Sequence, residues 1–268
     1  MKKSVFRLLV AASLIYGALV GYFYFNQSNL LYHPYPDKVF PQNSPMPEMA
    51  EVNYTTADGL DLYSWYFDGA TDAPLVVYLH GNTGDLNYQQ VAARGILDAG
   101  YNVLLVEYRG FGGNPGDITE KGLYEDARTA LSFAKNKGWT GENIILWGRS
   151  LGTGVAVKMA TEGNYKALIL EAPYSSVPDV AQSLYPYLPT HWLMRDHFNS
   201  ASRIDQVTIP TLIYHGSADR DVPAKFSAKL ATFAGDNLKR VVIEGADHTN
   251  IFPIGGNDVA FKFLKSLD

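Results

Sequence analysis

The sequence contains no cysteine among its 268 residues. Disulfide bonds, thiolate metal sites and cysteine nucleophiles are therefore excluded. The sequence also contains neither an H-E-x-x-H motif nor any other pair of histidines at a spacing that suits a metal ion. It has neither the G-x-G-x-x-G nor the Walker spacing of a phosphate-binding loop. We therefore expect a protein that works without a metal ion or a cofactor.

Positive charge is scarce in the body of the chain. The whole sequence has 22 basic and 27 acidic residues, which gives a net charge of −5 at pH 7. The first 25 residues contain Lys2, Lys3 and Arg7 but no acid, so residues 26–268 carry 19 basic against 27 acidic side chains, a net charge of −8. A body this acidic is a poor partner for phosphate backbones. We therefore expect no nucleic-acid partner.

Charge is absent altogether between Leu8 and Phe25, where the sequence reads LLVAASLIYGALVGYFYF. As a helix these 18 residues rise ~27 Å, close to the ~30 Å hydrocarbon core of a bilayer. The run ends in bulky rings that suit a membrane interface. We predict that residues 1–25 form a signal anchor of a single-pass membrane protein. Because the basic residues precede the run, the N-terminus should be cytoplasmic and the body should lie on the outer side.

Two other interpretations of this segment stay open. A cleaved signal peptide usually has a shorter apolar region that is followed by an A-x-A-like site. In this chain Ala11-Ala12-Ser13 lies inside the apolar run instead. The third interpretation is a helix buried in a soluble protein.

The composition changes twice after the apolar run. Residues 26–50 are rich in proline and aromatic rings, which predicts an extended connector laid over the body. Residues 51–268 begin with a predicted hairpin (51–56 and 60–67) and then alternate strand-like runs with helical patterns. This alternation predicts an α/β domain with a mostly parallel sheet of about eight strands and helices on both faces. The later strands are predicted at 75–79, 103–108, 144–147, 167–170, 212–214 and 241–243, and the helices near 88–99, 119–137, 152–161, 224–234 and 258–266.

One segment interrupts the alternation. Residues 175–204 lie between two predicted strands, are too long for a tight crossover and contain several aromatic rings and prolines. We name them the lid segment and predict a short insertion over one end of the sheet. The apolar character of this segment makes Tyr185 and Trp192, together with Tyr174 directly before it, candidate residues for binding an acyl substrate. The alternative is that these side chains only pack the insertion onto the sheet.

A candidate nucleophile occurs in Gly148-Arg149-Ser150-Leu151-Gly152, between a predicted strand and a predicted helix. This is the G-x-S-x-G pattern in the strand–turn–helix context of a nucleophile elbow. The turn is so sharp that the serine backbone is strained and the residues two before and two after it must lack a Cβ. The alternative is a glycine-rich turn with an incidental serine. Pattern and context together predict that Ser150 is a catalytic nucleophile.

A serine nucleophile needs a base, and the base needs an orienting acid. When the serine lies on such an elbow, the chain order is Ser, then Asp or Glu, then His. His248 follows the last predicted strand and Asp219 follows the strand before it, so both should reach the sheet edge that presents Ser150. We predict His248 as the base and Asp219 as the acid, with Asp221 and Asp247 as alternatives for the acid.

A third element of the site follows the strand 75–79, where the sequence reads His80-Gly81-Asn82-Thr83-Gly84. Small residues at this place let backbone N–H groups face the site. An oxyanion hole combines the N–H after the nucleophile with an N–H from such an earlier loop. We therefore predict the backbone N–H groups of Asn82 and Leu151 as its donors. The alternative is an ordinary glycine-rich turn.

Together these segments resemble the serine hydrolases of the α/β-hydrolase superfamily and, more narrowly, the membrane-anchored bud-emergence-like (BEM-like) hydrolases. Two residues depart from the family pattern outside the three catalytic positions: Asn114, where a small serine-like residue is expected, and Glu107, where Asp is more frequent. The matching segments run in family order over nearly the whole chain: QSNLLYHP at 27–34, TADG at 56–59, HGNTG at 80–84, YRGFG at 108–112, GRSLG at 148–152, EAPYSS at 171–176, and the segments around Asp219 and His248.

This resemblance implies an esterase, thioesterase or lysophospholipase-like enzyme. We expect a serine-dependent hydrolase that cleaves a carboxylic ester or thioester of a small-molecule or lipid-borne acyl group through an acyl-enzyme. Two alternatives stay open. One is a serine peptidase of the same fold, and the other is a catalytically silent scaffold that binds a lipid or a protein partner.

Overall fold

An eight-stranded sheet forms the centre of the protein. The computed structural model describes residues 2–70 and 72–267. The strands of this sheet are β2 (Ala50–Thr55), β3 (Asp61–Phe67), β4 (Leu75–Leu79), β6 (Asn102–Val106), β7 (Ile144–Arg149), β8 (Ala167–Glu171), β9 (Thr211–Gly216) and β10 (Leu238–Ile243). Their order across the sheet is β10-β9-β8-β7-β4-β6-β3-β2. Among the described residues of this sheet, the pairs β2–β3 and β3–β6 are antiparallel and the other neighbouring strands are parallel. The predicted fold class is confirmed.

Helices cover both faces of the sheet. They are α2 (Gln90–Asp98), α3 (Glu120–Asn136), α4 (Leu151–Ala160), α7 (Lys225–Ala231) and α8 (Asn257–Lys265). Alternate side chains of β7 enter two different cores. Ile144 and Leu146 pack with residues of α3, α4 and α7, whereas Ile145 and Trp147 pack with residues of α2 and α8. Two-sided burial explains why the central strands are continuously apolar and show no alternation of polar residues.

The N-terminal helix α1 (Lys2–Leu31) extends six residues beyond the predicted end of the anchor at residue 25. Residues 26–31 are therefore helical and do not belong to an extended connector, which corrects that boundary. Side-chain amides support the extra turns, because Asn26 Nδ2 donates to the Tyr22 carbonyl at 2.9 Å and Gln27 Nε2 donates to the Tyr24 carbonyl at 2.8 Å. The helix stops shortly before Pro34, whose ring disfavours helical backbone in the residue that precedes it.

The anchor helix has the dimensions of a membrane span, judged by its length and composition. None of its residues is buried in the protein. That exposure contradicts the interpretation as a buried helix of a soluble protein. After α1 the chain forms a short bridge, in which β1 (His33–Pro34) pairs in parallel with β5 (Thr83–Gly84).

The lid segment contains two short helices, α5 (Val177–Leu184) and α6 (Thr190–Leu193), between β8 and β9. Ser176 is the N-cap of helix α5, and its Oγ accepts a hydrogen bond from the Asp179 backbone N–H at 3.2 Å. A serine in this position satisfies one of the free N–H groups of the first helical turn. The lid segment therefore has defined secondary structure of its own on the sheet edge where β8 ends.

Candidate active site

Ser150 lies in a sharp turn between β7 and α4. Its backbone has φ 48° and ψ −119°, a conformation that is strained for a residue with a Cβ. A Cβ on Gly152 would come within 2.0 Å of the Leu79 carbonyl oxygen, and a Cβ on Gly148 would come within 2.6 Å of the Gly152 carbonyl oxygen. Both glycines are thus required sterically, as the elbow pattern predicts. The turn presents the serine at the N-terminus of α4.

Three predicted side chains meet at this turn. His248 Nε2 lies 2.9 Å from Ser150 Oγ, and His248 Nδ1 lies 2.7 Å from Asp219 Oδ2. The residues come from three different loops, after β7, β9 and β10, each at the carboxyl end of its strand. The arrangement is that of a nucleophile, a base and an orienting acid.

Asp219 is held in place by several contacts besides the one with His248. Its Oδ1 accepts hydrogen bonds from the backbone N–H groups of Val222 at 2.8 Å and Asp221 at 3.0 Å, and the His215 ring nitrogen lies 3.2 Å from Oδ2. Burial by itself raises the pKa of the Asp219 carboxyl, but the hydrogen bonds from His215, His248 and Val222 outweigh it and hold that pKa below the ordinary range. Asp219 is therefore ionised at neutral pH.

The two alternative acids lie elsewhere. Asp247 Oδ1 accepts hydrogen bonds from the backbone N–H groups of Thr249 and Asn250, so it is used to shape its own loop. The Asp221 side chain is exposed. Of the three candidate acids, the structure brings Asp219 to His248.

The loop of the predicted oxyanion donors lies against the nucleophile. A Cβ on Gly81 would be 3.4 Å from the Ser150 Cβ. Leu151 is the first residue of α4, where backbone N–H groups have no acceptor within the helix. The Asn82 side chain also makes a contact that was not predicted from the sequence. Its Nδ2 donates a hydrogen bond to the Leu31 carbonyl at 2.6 Å. The end of the anchor helix is thus attached to this loop.

A buried ion pair lies next to the nucleophile. Arg149 Nε is 3.1 Å from Glu171 Oε1, and Arg149 Nη2 donates to the His248 carbonyl at 3.3 Å. Glu171 Oε2 accepts a 2.5 Å hydrogen bond from the Tyr214 hydroxyl. The residue before the serine therefore holds the backbone of the histidine loop. Sequence reasoning missed this role, because the pattern G-x-S-x-G leaves the Arg149 position unspecified.

His80 has the structural role that its position at a strand end suggests. It is fully buried, with Nε2 2.9 Å from Glu107 Oε1 and Nδ1 2.7 Å from the Gly81 carbonyl. Burial raises the pKa of the Glu107 carboxyl. Glu107 Oε2 also accepts a hydrogen bond from the Leu86 N–H at 3.0 Å. This pair fixes both ends of the loop that carries Asn82.

A cavity of about 480 Å³ opens over Ser150 and His248. Its volume is in the range typical of small-molecule sites. Tyr174 and Tyr185 line it, as predicted. The Tyr174 hydroxyl donates to the Leu151 carbonyl at 3.0 Å, and burial raises the pKa of Tyr174 well above its ordinary value, which keeps the donor protonated.

The prediction for Trp192 is wrong. Its side chain is 92% exposed and is not part of the cavity wall. Helix α6 is only four residues long, and its neighbours Thr190 and Leu193 supply the contacts to the cavity instead. A ring on the opposite side of so short a helix points away from the protein.

The sheet, the elbow serine and the histidine and aspartate beside it define the class of protein, an α/β hydrolase. Comparison with known proteins gives the same answer. The family model described as "Serine aminopeptidase, S33" matches residues 71–201. A protein of Mycobacterium tuberculosis, "Uncharacterized protein Rv2307c", is 34% identical over 241 residues, covering 89% of this chain and 86% of that protein. The chain belongs to the α/β-hydrolase family.

The names of one further relative and of one solved structure state an activity. The "Lysophosphatidylserine lipase ABHD12" of Rattus norvegicus is 31% identical over 205 residues, which are 68% of this chain and 51% of that protein. The solved structure of the Pyrococcus furiosus esterase Pf2001 superposes with a TM-score of 0.70 at 22% identity and covers 88% of this chain and 98% of that one. The chain spans about half the length of the lipase, and the likeness to Pf2001 shows the fold alone. The narrower resemblance to the bud-emergence-like group stays a prediction.

Proposed function

We propose that the protein is a serine hydrolase that cleaves carboxylic ester or thioester bonds through an acyl-enzyme. One observation carries the proposal. Ser150 Oγ, His248 Nε2, His248 Nδ1 and Asp219 Oδ2 form a continuous line of contacts of 2.9 and 2.7 Å beside an apolar cavity. A serine in contact with an oriented imidazole is activated as a nucleophile.

The proposed mechanism follows from these contacts. Ser150 Oγ attacks the acyl carbonyl while His248 takes its proton, and His248 then gives that proton to the departing alcohol or thiol. Asp219 holds the ring and stabilises the imidazolium. The backbone N–H groups of Asn82 and Leu151 bind the oxyanion, and each such donor contributes ~10²–10³ in rate. Water, activated by the same histidine, hydrolyses the acyl-enzyme.

The lining of the cavity favours an acyl substrate over a peptide. The family description names an aminopeptidase, and such an enzyme must bind the free ammonium group of its substrate. Among the described residues that line the cavity, the exposed Asp221 is the one carboxylate available for that purpose. Aliphatic and aromatic side chains make up most of the remaining wall, which suits the hydrocarbon part of an ester.

The first test separates an ester hydrolase from a peptidase and from a silent scaffold. We expect a fluorophosphonate probe to attach to Ser150, as located by mass spectrometry of the labelled peptide. We also expect turnover of p-nitrophenyl acetate and butyrate, with aminoacyl p-nitroanilides turned over far more slowly. Faster turnover of the anilides would establish the peptidase. Absence of both labelling and turnover would establish the scaffold.

The proposed location is a membrane that α1 crosses once, with the N-terminus in the cytoplasm. Three cations, Lys2, Lys3 and Arg7, precede the apolar run, and such residues favour the cytoplasmic side. A reporter enzyme fused to the C-terminus should therefore be active only outside the cytoplasm. A reporter that is active in the cytoplasm would contradict this topology.

A further inference from the structure

The C-terminal end of α1 forms part of the wall of the active-site cavity. The residues that it contributes are Phe23, Tyr24, Gln27, Leu30 and Leu31. The lid segment supplies another part of the wall, with Val180, Ala181, Leu184, Tyr185, Leu188 and Leu193. A helix that only tethered the protein would have no reason to line its active site.

Specific contacts hold this part of α1 in place. Gln27 Oε1 accepts a hydrogen bond from the Arg195 N–H at 2.7 Å, and Gln27 Nε2 lies 3.4 Å from the Leu193 carbonyl oxygen. The rings of Phe23 and Tyr185 pack with their centroids 5.0 Å apart. The helix wall and the lid wall are therefore joined by both polar and apolar contacts.

The contact between Tyr16 and Tyr187 places the lid segment at the depth of the apolar run. The Tyr16 hydroxyl donates to the Tyr187 carbonyl at 2.9 Å. Tyr16 is the ninth of the 18 uncharged residues between Leu8 and Phe25, so it lies ~13 Å along the helix from Phe25. When that run occupies the hydrocarbon core, the edge of the lid segment at Tyr187 lies inside the bilayer, at the depth of Tyr16, and not in the water above it.

The outer surface of the lid segment has the composition that this depth requires. Tyr187 is 53% exposed and Trp192 is 92% exposed, and neither lines the cavity. Large apolar side chains clustered beside a membrane span are suited to the hydrocarbon and its interface. This also gives a reason for the outward direction of Trp192.

We propose that α1 and the lid segment together form a groove for the acyl chain of an ester embedded in the bilayer, which the chain enters directly from the leaflet. This inference rests on the proposed function and adds the substrate class and its route. Leu30 of the helix and Ala181 of the lid segment contact the hydrocarbon, and the packed rings of Phe23 and Tyr185 form a further part of the groove wall. The anchor is then a specificity-determining part of the site.

The test uses the full chain in phosphatidylcholine vesicles and p-nitrophenyl esters from acetate to palmitate. Phe23→Ala should raise KM for the palmitate by roughly tenfold, because the groove loses most of a ring. The KM for acetate, whose two-carbon acyl group does not reach the groove, should rise much less, and circular dichroism checks that the variant folds. Phe25→Ala is the matched control, since Phe25 lies two residues away on α1, is 77% exposed and does not line the cavity. The control should change neither ester.

A second variant tests the groove from the lid side. Ala181→Phe should fill part of the groove, so that palmitate turnover falls far more than acetate turnover. The groove is disproved if Phe23→Ala and Phe25→Ala give the same KM for palmitate, or if both esters respond equally to Phe23→Ala. Those outcomes are distinct from failure of the proposed function, in which the unaltered protein hydrolyses no ester at all.

The depth of the lid segment is measured without catalysis. Vesicles of brominated phosphatidylcholine should quench part of the tryptophan fluorescence of the protein. The quenched part should disappear in Trp192→Phe, because Trp65 and Trp147 are fully buried in the sheet. The remaining tryptophan, Trp139, is half-buried and precedes β7, at the sheet edge opposite the active site. Equal quenching with and without Trp192 would place the lid segment in water and overturn the route from the leaflet.

Discussion

The Asn82 side chain donates a 2.6 Å hydrogen bond to the backbone carbonyl of Leu31, the last residue of the anchor helix. The His33 backbone N–H donates a hydrogen bond to the Asn82 carbonyl at 2.8 Å. The loop proposed to bind the oxyanion is therefore attached at one residue to the end of α1. Loss of α1 would remove the acceptor of the Asn82 side chain.

This attachment predicts the effect of removing the Asn82 side chain. Asn82→Ala keeps the backbone N–H but loses one hydrogen bond that positions it, so kcat for every ester should fall by ~2- to 10-fold. KM for acetate should stay the same, because acetate has no chain to reach the groove. Asn53→Ala, on an exposed strand position, should have no effect. An unchanged kcat in Asn82→Ala would show that the attachment does not position the loop.

The two aspartates of the β9 loop are expected to differ sharply. Asp219→Asn leaves His248 without the carboxylate that orients it and should lower kcat by roughly 10⁴-fold, as in the template triad. Asp221→Asn changes an exposed side chain two residues away and should cost little. Steady-state kinetics with p-nitrophenyl butyrate compares them. A larger loss for Asp221→Asn would reverse the assignment of the acid.

Activity should depend on pH through the histidine and not through Asp219. The pKa of Asp219 is lowered in the folded protein, so its ionised form and the stability it contributes are present above the ordinary carboxyl value of ~3.9 and are lost only in stronger acid. Histidine side chains change charge between pH ~5 and ~8, and only the neutral ring accepts a proton. We therefore expect kcat/KM to fall as the pH is lowered through this range, with the slope of a single protonation. A flat profile would exclude a histidine base.

The elbow glycine is expected to be structurally indispensable. Gly152→Ala places a Cβ 2.0 Å from the Leu79 carbonyl oxygen, a backbone atom that cannot turn aside. Overpacking of this kind costs ~1–3 kcal/mol or more of the free energy of unfolding. Gly17→Ala on α1 is the control, because no atom lies within 4 Å of the Cβ that it adds. The midpoint of urea denaturation should fall for the first variant and stay for the second. Equal midpoints would show that the elbow tolerates a side chain.

Local signals in the sequence were sufficient to predict that Ser150, Asp219 and His248 lie together. Ser150 needs two glycines at fixed spacing, and Asp219 and His248 need only to follow consecutive parallel strands, because strand ends meet at one edge of the sheet. These requirements are written in short segments. The apolar strands and amphipathic helices are likewise local, and the sheet follows from their alternation.

Long-range packing decided what the sequence did not reveal. The cavity wall formed by Phe23 and Leu30 depends on contacts of α1 with the lid segment, more than 160 residues later in the chain. The outward direction of Trp192 depends on which face of the four-residue helix α6 meets the cavity. An apolar composition marks such a segment but does not say which of its side chains face the substrate and which face the membrane.

The most direct measurement of the central claim is ester turnover after removal of one oxygen atom, in Ser150→Ala. Its kcat for p-nitrophenyl butyrate should fall by at least ~10³-fold while the protein stays folded, because the attacking atom is gone. Ser202→Ala, an exposed serine of the lid segment, should retain the activity of the unaltered chain. Full turnover by Ser150→Ala would contradict the proposed nucleophile and the mechanism built on it.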